Sequence, residues 1–370
     1  MNKKVLIVFG TRPEAIKLAP LISRLKQNEN FTIKICNTGQ HKELLSPILD
    51  FFEIKVDYDL DLMSHNQGLH ELTSKILINL NPIITSFNPD YVIVHGDTTT
   101  AFSAALSAFY QKIKILHVEA GLRTDDIYSP FPEELNRTLI SSMAYINYAP
   151  TLKSKGNIER QNKFSKIIVT GNTVIDALFD SEKKINFSEI PISLSKIDFS
   201  ANKNIILFTG HRRENFGSGF NNIFDAITEL TRLRKDILII YPLHPNPNIN
   251  LVAHNYFDKN SNVQLIPALQ YQDFLWLLKK CYIVVTDSGG IQEEAPSFGK
   301  PVIVTREHSE RREAIDLGSV LLVGTDTDKI INSVLSLLDD IEKYNFMSSI
   351  KNPYGDGKAS ERIIKSLLDD

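Results

Sequence analysis

The stretch TDSGGIQEEAPSFGKP, from Thr286 to Pro301, combines residues that could bind an anion with residues that should repel one. Ser288, Gly289 and Gly290 follow an apolar run and precede a helical pattern, so free backbone N–H groups and the helix dipole offer a place for a phosphate. Glu293 and Glu294 come within the next helical turn. They would repel that phosphate unless they faced another part of the same ligand. A carboxylate that accepts hydrogen bonds from vicinal hydroxyls, as acids do with ribose in dinucleotide folds, resolves the conflict. The stretch therefore points to a nucleotide with its ribose. The competing structural reading makes Ser288 a helix cap and the acids partners of the dipole.

Three further acids fall at strand ends or adjoining loops: Asp97 in VHGDTTT, Glu119 in LHVEAGLR and Glu133 in YSPFPEELNR. Burial raises a carboxyl pKa and a nearby cation lowers it, so neighbouring acids can divide into proton donor and acceptor. Each also has a structural explanation. Asp97 could cap a helix beginning at Thr98, Glu119 could pair with Arg123, and Glu133 could open a helix after Pro132.

Cations come from two matching loops. VLIVFGTRPEA and NIILFTGHRREN each place Gly-x-Arg-x-Glu directly after a strand pattern: Gly10, Arg12, Glu14 and Gly210, Arg212, Glu214. Arg12 from one domain and His211 with Arg212 from the other could line a cleft between two sheets. In the first copy Thr11, Pro13 and Glu14 also read as a capping box, which leaves Arg12 pointing outward. Neither copy is G-x-G-x-x-G, and no P-loop occurs, so no nicotinamide, flavin or P-loop nucleotide is expected. No metal is expected either. His41, His65 and His70 lack ligand spacing, and the DLD of Asp59–Asp61 reads as a solvated turn. Phe274 and Trp276 fall on a helical pattern and read as core, with Phe274 at the helix start able to border a base.

The elements that must position these groups are short β-branched runs alternating with helical patterns. They are Val5–Phe9, Thr32–Cys36, Tyr91–Val94, Lys114–Val118 and Lys166–Val169, then Asn204–Phe208, Ile237–Tyr241, Val263–Ile266, Tyr282–Thr286, Pro301–Val304 and Val320–Val323. Continuous apolar strands separated by helices imply parallel sheets buried on both faces, a doubly wound α/β protein. At 370 residues two domains are expected. The polar segment from Asp180 to Lys203 is the best linker. With 42% apolar residues, 23% charged residues and a net charge of -3, no polyanion-binding surface is indicated, so nucleic acid is not an expected partner. Cys36 and Cys281 lie in strand-like runs and read as reduced, buried thiols in a cytoplasmic protein. The N-terminal apolar run stops at Gly10, too short for a signal segment, and no run reaches membrane-spanning length.

The ordered blocks FGTRPEAIK, TGQHKE, VHGDTTT, HVEAGLRT, YSPFPEE, GNTVIDAL, GHRREN, TDSGGIQEEAPS and NPYGDGKAS carry a resemblance. Over essentially its full length the chain resembles the bacterial non-hydrolysing UDP-N-acetylglucosamine 2-epimerases. The resemblance implies two Rossmann-like domains facing a central cleft, the glycosyltransferase-B arrangement. They would span residues 1–175, joined by a C-terminal helix within 356–370, and 176–355. It implies that Ser288, Gly289 and Gly290 hold the diphosphate with Arg12 and His211, and that Glu294 takes the ribose. Asp97, Glu119 and Glu133 become the catalytic acids, with Lys17 and Arg137 in support. It further implies activation by the substrate at a second site containing Gln40, His41, Gln67 and Arg212. A cytoplasmic homodimer supplying UDP-N-acetylmannosamine for surface polysaccharide is the expected setting, with no cofactor.

Two stretches depart from the family pattern. The segment RDTTERPEA is here REHSERREA, with His308 and Arg312 replacing a threonine and a proline, and loss of the proline should loosen that loop. The usual PQEY near the base is ALQY, Ala268 to Tyr271. A hydrolysing epimerase, a retaining glycosyltransferase on the same fold and a catalytically silent sugar-nucleotide sensor remain as alternative functions.

Overall fold

The computed structural model describes the chain apart from residues 1, 40–41, 63–66, 162–163, 200–203 and 244–246 and the side chains of 42–44, 213 and 247–248. It divides into two compact units, Met1–Asp180 with Tyr354–Asp370, and Ser181–Pro353.

The first unit is built on β1 (Lys3–Phe9), β2 (Phe31–Asn37), β3 (Tyr58–Asp59), β4 (Tyr91–His95), β5 (Lys114–Val118), β6 (Ile146–Ala149) and β7 (Lys166–Val169). Their order is β3-β2-β1-β4-β5-β6-β7, and every pairing is parallel. Because β1 is flanked on both sides and covered on both faces, Val5 through Phe9 are fully buried, which is why it reads as an unbroken apolar run. The second unit carries β8 (Asn204–Thr209), β9 (Ile237–Pro242), β10 (Val263–Ile266), β11 (Ile283–Thr286), β12 (Val302–Val304) and β13 (Val320–Leu322) in the order β10-β9-β8-β11-β12-β13, again all parallel.

Both sheets are doubly wound. The strand order reverses between β1 and β4 in one and between β8 and β11 in the other, and at such a switch point the carboxyl ends of the strands leave a crevice for a ligand. The two matching Gly-x-Arg-x-Glu loops leave β1 and β8, so each lies at a switch point. The core of the second unit gathers Phe208, Phe224, Tyr241 and Phe257, with Phe208 and Tyr241 in edge contact at 4.5 Å between ring centres.

Two strands escaped the sequence reading. The two-residue edge strand β3 ends on Asp59, the first residue of the DLD read as a solvated turn; Asp59 and Asp61 are exposed, and the Asp59 carboxylate also accepts from Asn37 Nδ2 at 3.0 Å. Strand β6 is short and carries the polar Asn147, whose NH2 group donates inside to Ser141 O at 3.0 Å and Ser165 Oγ at 2.9 Å. The expected linker is also partly structured. Its first residues finish the helix Thr173–Lys184, and Leu194 and Ile197 are buried. Phe199 packs edge-on to the buried Trp276 at 5.1 Å. Its apolar residues are spaced too irregularly to signal this burial.

The C-terminal helix Ala359–Leu368 belongs to the first unit and packs against Arg12–Lys26. Asp176 holds its start, accepting from Ala359 N at 3.1 Å and Ser360 N at 2.8 Å. Beyond its end, the Asp370 carboxylate receives Lys114 at 2.9 Å, Tyr91 at 2.7 Å and Tyr145 at 2.8 Å, which keep its pKa well below the usual range.

Candidate active site

In the first unit the switch point is framed by backbone donors and one buried acid. Thr11 caps the helix Arg12–Lys26 in a capping box with Glu14, as the sequence pattern suggested. Glu14 accepts from Gly10 N at 3.1 Å, Thr11 N at 2.8 Å and Thr98 Oγ1 at 2.6 Å, so it joins the loops after β1 and β4. Burial pushes its carboxyl up, against these donors pulling it down. Arg12, just past the cap, is half-buried.

Two of the structural explanations weighed for the acids do not hold. Thr98, not Asp97, caps the next helix, accepting from Ala101 N at 3.0 Å. Asp97 instead takes a charge-assisted bond from Arg137 Nη2, while Asn136 Nδ2 holds its backbone carbonyl at 2.9 Å. Glu119 turns away from Arg123, which binds Gln161 and the Leu122 carbonyl. Its Oε2 meets Lys17 Nζ and accepts from Asn172 Nδ2 at 2.7 Å, with His95 Nε2 at 3.7 Å. Glu119 also sits at φ 63°, a left-handed backbone that a non-glycine residue adopts at a cost of about 1 kcal/mol or more. Such strain is common where a side chain must be aimed. Glu133 opens the helix Glu133–Met143 directly after Pro132, so here the structural explanation stands beside the chemical one. One turn on, Arg137 shares a helix face with Glu133 and lies 3.2 Å from the buried Glu134.

Two histidines sit beneath these acids. His95 and His117 are buried, and desolvation lowers each to about 4, so both are neutral near pH 7. His117 Nε2 bonds the Gly96 carbonyl at 2.7 Å and thereby pins the loop carrying Asp97.

In the second unit the crevice lies between the loops after β8 and β11. Asp287, fully buried, accepts from His211 N at 2.9 Å and Arg212 N at 2.8 Å, and its other oxygen lies 3.4 Å from His211 Nδ1. It does for the loop after β8 what Glu14 does for the loop after β1. Glu214, the formal counterpart of Glu14, pairs instead with Arg306 at 2.7 Å. Ser288 stands at the N-cap position of the short helix Gly289–Glu294, yet its hydroxyl makes no capping bond. A Cβ on Gly289 would come within 2.5 Å of the Arg311 guanidinium, whereas one on Gly290 would meet nothing within 4 Å.

The adjacent acids of this helix separate in role. Glu293 is fully buried and receives Arg311 Nε at 2.8 Å, so its charge is matched inside the protein. Glu294 Oε1 accepts from the Tyr271 hydroxyl at 2.9 Å. Phe274, on the helix Tyr271–Lys280, is half-buried, whereas Trp276 is core. The segment expected to loosen on losing its proline is fastened by ion pairs. Arg306 meets Glu310 at 3.2 Å, and Ser309 Oγ bonds Gln292 at 2.9 Å, while the departing residues His308 and Arg312 are exposed. A cavity of about 370 Å³, lined in part by Leu243, Asn250, His254, Pro267 and Ala268, opens at the carboxyl ends of β9 and β10. Ala268 of the departing ALQY is on its wall.

Thus Lys17, Asp97, Glu119, Glu133 and Arg137 gather in the first unit, and His211, Arg212, Ser288, Gly289, Gly290 and Glu294 in the second. Of the expected effector residues, Gln40 and His41 lie outside the described residues, and Gln67 is half-buried ahead of the helix Leu69–Phe87. Asp287, Asn172 and His95 were not anticipated. An acid at the end of β11 was a signal of the same kind as Asp97 and Glu119. Asn172 offered none, because its contact with Glu119 spans β5 to the end of β7.

The family profile described as UDP-N-acetylglucosamine 2-epimerase matches residues 23–368. The chain belongs to the UDP-N-acetylglucosamine 2-epimerase family. The relative of that name from Yersinia pestis is 49% identical over 98% of both chains, and the one from Campylobacter jejuni is 49% identical over 100% of this chain and 98% of its own. The crystal structure of the Neisseria meningitidis member bound to UDP-GlcNAc matches with a TM-score of 0.94 and 48% identity, covering 99% of this chain and 100% of that one. The family assignment accords with acids paired to cations at parallel-strand ends in one unit and a Ser-Gly-Gly loop after β11 in the other.

Proposed function

We propose that the chain interconverts UDP-N-acetylglucosamine and UDP-N-acetylmannosamine by inverting C2, without net hydrolysis. A sugar C2–H has no adjacent carbonyl and is too weak an acid for direct removal by a carboxylate. Cleavage of the C1–O bond, with the electron pair leaving on UDP, creates an oxocarbenium-like centre that carboxylates stabilise. The C2 proton then passes to a carboxylate, giving 2-acetamidoglucal. Return of a proton to the opposite face of C2 and re-addition of the UDP oxygen to C1 complete the inversion. Atoms and charge balance without a redox cofactor.

The observation that carries this reading is the pairing of Glu119 with Lys17 and Asp97 with Arg137 beside Glu133. It occurs in a chain about half identical, end to end, to UDP-N-acetylglucosamine 2-epimerases. Asp97, Glu119 and Glu133 serve as the acids. Lys17 and Arg137 orient them and neutralise departing charge. Ser288, Gly289 and Gly290, with Arg12 and His211, hold the diphosphate, Glu294 takes the ribose and Phe274 borders the base. Gln40, His41, Gln67 and Arg212 form the effector site for a second substrate molecule, in a cytoplasmic homodimer feeding surface polysaccharide. Among the described residues no helix is long and apolar enough to cross a membrane.

A proton NMR time course of UDP-N-acetylglucosamine in heavy water tests the reaction. Epimerisation with deuterium entering C2 and UDP still attached supports it. Release of N-acetylmannosamine with stoichiometric UDP would identify a hydrolysing enzyme, and binding without exchange a sensor.

A further inference from the structure

Asn172 lies at the carboxyl end of the first sheet, is almost fully buried, and has every polar group engaged. Its backbone N–H donates to Tyr354 O at 2.6 Å, its carbonyl accepts from Ile175 N at 3.1 Å, its Oδ1 accepts from Val174 N at 3.0 Å and its Nδ2 donates to Glu119 Oε2 at 2.7 Å. The bond from Val174 N fixes which end of the amide is oxygen, so the NH2 group must face the carboxylate. Tyr354 is the residue at which the chain re-enters the first unit. Its approach runs through two glycines in backbone that other residues rarely adopt, Gly171 at φ 88° and Gly355 at φ 152°; an added Cβ would strain the chain there although its nearest neighbours, Gly355 Cα and Asn172 N, lie at an ordinary 3.4 Å.

We infer that Asn172 is a positioning residue for Glu119 and couples that acid to the docking of the segment beginning at Tyr354. The inference rests on the reading of Glu119 given above. Lys17 and Asn172 both engage Oε2, which fixes the carboxylate plane and directs Oε1 to the Gly96 side, 3.8 Å from where a Cβ on that glycine would stand. Donors to the ionised form also favour ionisation, so removing one shifts the pH at which the acid works. A displacement of Tyr354 would act on the Asn172 backbone and, through its side chain, on Glu119.

The test compares Asn172→Asp, Gly355→Ala and Glu119→Gln in the full-length protein. Asn172→Asp keeps the acceptor for Val174 N and sets a carboxylate against Glu119 in place of the donor, so lost donation and like charge both disfavour the ionised acid. It should lower kcat by about tenfold to a hundredfold, the range found when a partner orienting a reacting group is lost, while KM changes little. The acid limb of its pH–kcat profile should move upward. Gly355→Ala should move the limb in the same direction with a smaller loss of kcat. If Asn172→Asp, folded by circular dichroism, keeps the parental limb, the positioning role is overturned; if Gly355→Ala keeps it, the coupling is overturned. Glu119→Gln separates the levels: parental turnover in that variant would remove the acid itself from the mechanism, whatever Asn172 does.

Discussion

Asp97 and Arg137, at the end of β4 and in the second turn of the helix after Pro132, form an ion pair in which the guanidinium is almost fully buried and the carboxylate partly open. The same guanidinium lies 3.2 Å from the buried Glu134, so one cation balances two acids. Removing a buried partner leaves uncompensated charge, which costs about 3 kcal/mol or more. Arg137→Gln should therefore lower the urea midpoint as well as turnover. Asp97→Asn, by contrast, leaves the buried guanidinium still balanced by Glu134 and should leave the midpoint near its parental value while kcat falls about 10²–10⁴-fold. Equal midpoints for both variants would contradict this division.

Gly289 and Gly290 adjoin each other yet face different constraints. At Gly289 a Cβ would strike the Arg311 guanidinium, which Glu293 and Glu310 hold in place, so Gly289→Ala should cost about 1–3 kcal/mol in stability as overpacking does. At Gly290 a Cβ meets no protein atom within 4 Å. Gly290→Ala should melt normally yet bind UDP about tenfold more weakly in calorimetric titration, because the methyl group would intrude on the diphosphate position proposed above. Undiminished UDP affinity in this variant would exclude the diphosphate from that loop.

The sheets were legible in the sequence because strands covered on both faces must be apolar throughout, and β1, β8 and β11 are. β3 and β6 were hidden by brevity and by polar residues whose partners, such as Ser165 for Asn147, come from elsewhere in the chain. The acids were visible individually, but their pairing was not. The only sequence-local partner for Glu119 was Arg123, whereas its actual cations and donors come from Lys17 on the first helix and Asn172 after β7. Nothing in the spacing of QEE indicated that Glu293 would be consumed by Arg311 while Glu294 met a tyrosine.

The two buried histidines set an acid limit on the fold. Each has a folded pKa near 4, below the ordinary value of 6.5, because burial disfavours the imidazolium. The unfolded chain therefore binds more protons between these values. The stabilisation is complete above about pH 6.5 and is lost as pH falls toward 4, by on the order of 3 kcal/mol for each histidine. The melting temperature should fall across this window. His117→Asn should weaken the dependence while lowering stability at neutral pH, since the bond to the Gly96 carbonyl is disturbed. A His117→Asn profile parallel to the parent's would remove that histidine as a cause.

Ser288 offers the most direct probe of whether UDP is retained during the reaction. Its hydroxyl takes no part in capping, and the loop is held through its backbone N–H, which donates to Thr286 Oγ1 at 2.9 Å. Ser288→Ala should accordingly change stability by less than about 0.5 kcal/mol. If the hydroxyl donates to the diphosphate, its loss weakens the grip on free UDP by about 1 kcal/mol, a severalfold faster escape. In the mechanism proposed above UDP is detached while the glycal awaits its proton, so faster escape would divert the intermediate. Free UDP and 2-acetamidoglucal should then accumulate in amounts the parent does not release, and chromatography of the reaction mixture would detect both. A variant that slows without leaking would place Ser288 in substrate binding alone. A variant that leaks at parental KM would make retention of the leaving group the function of this loop.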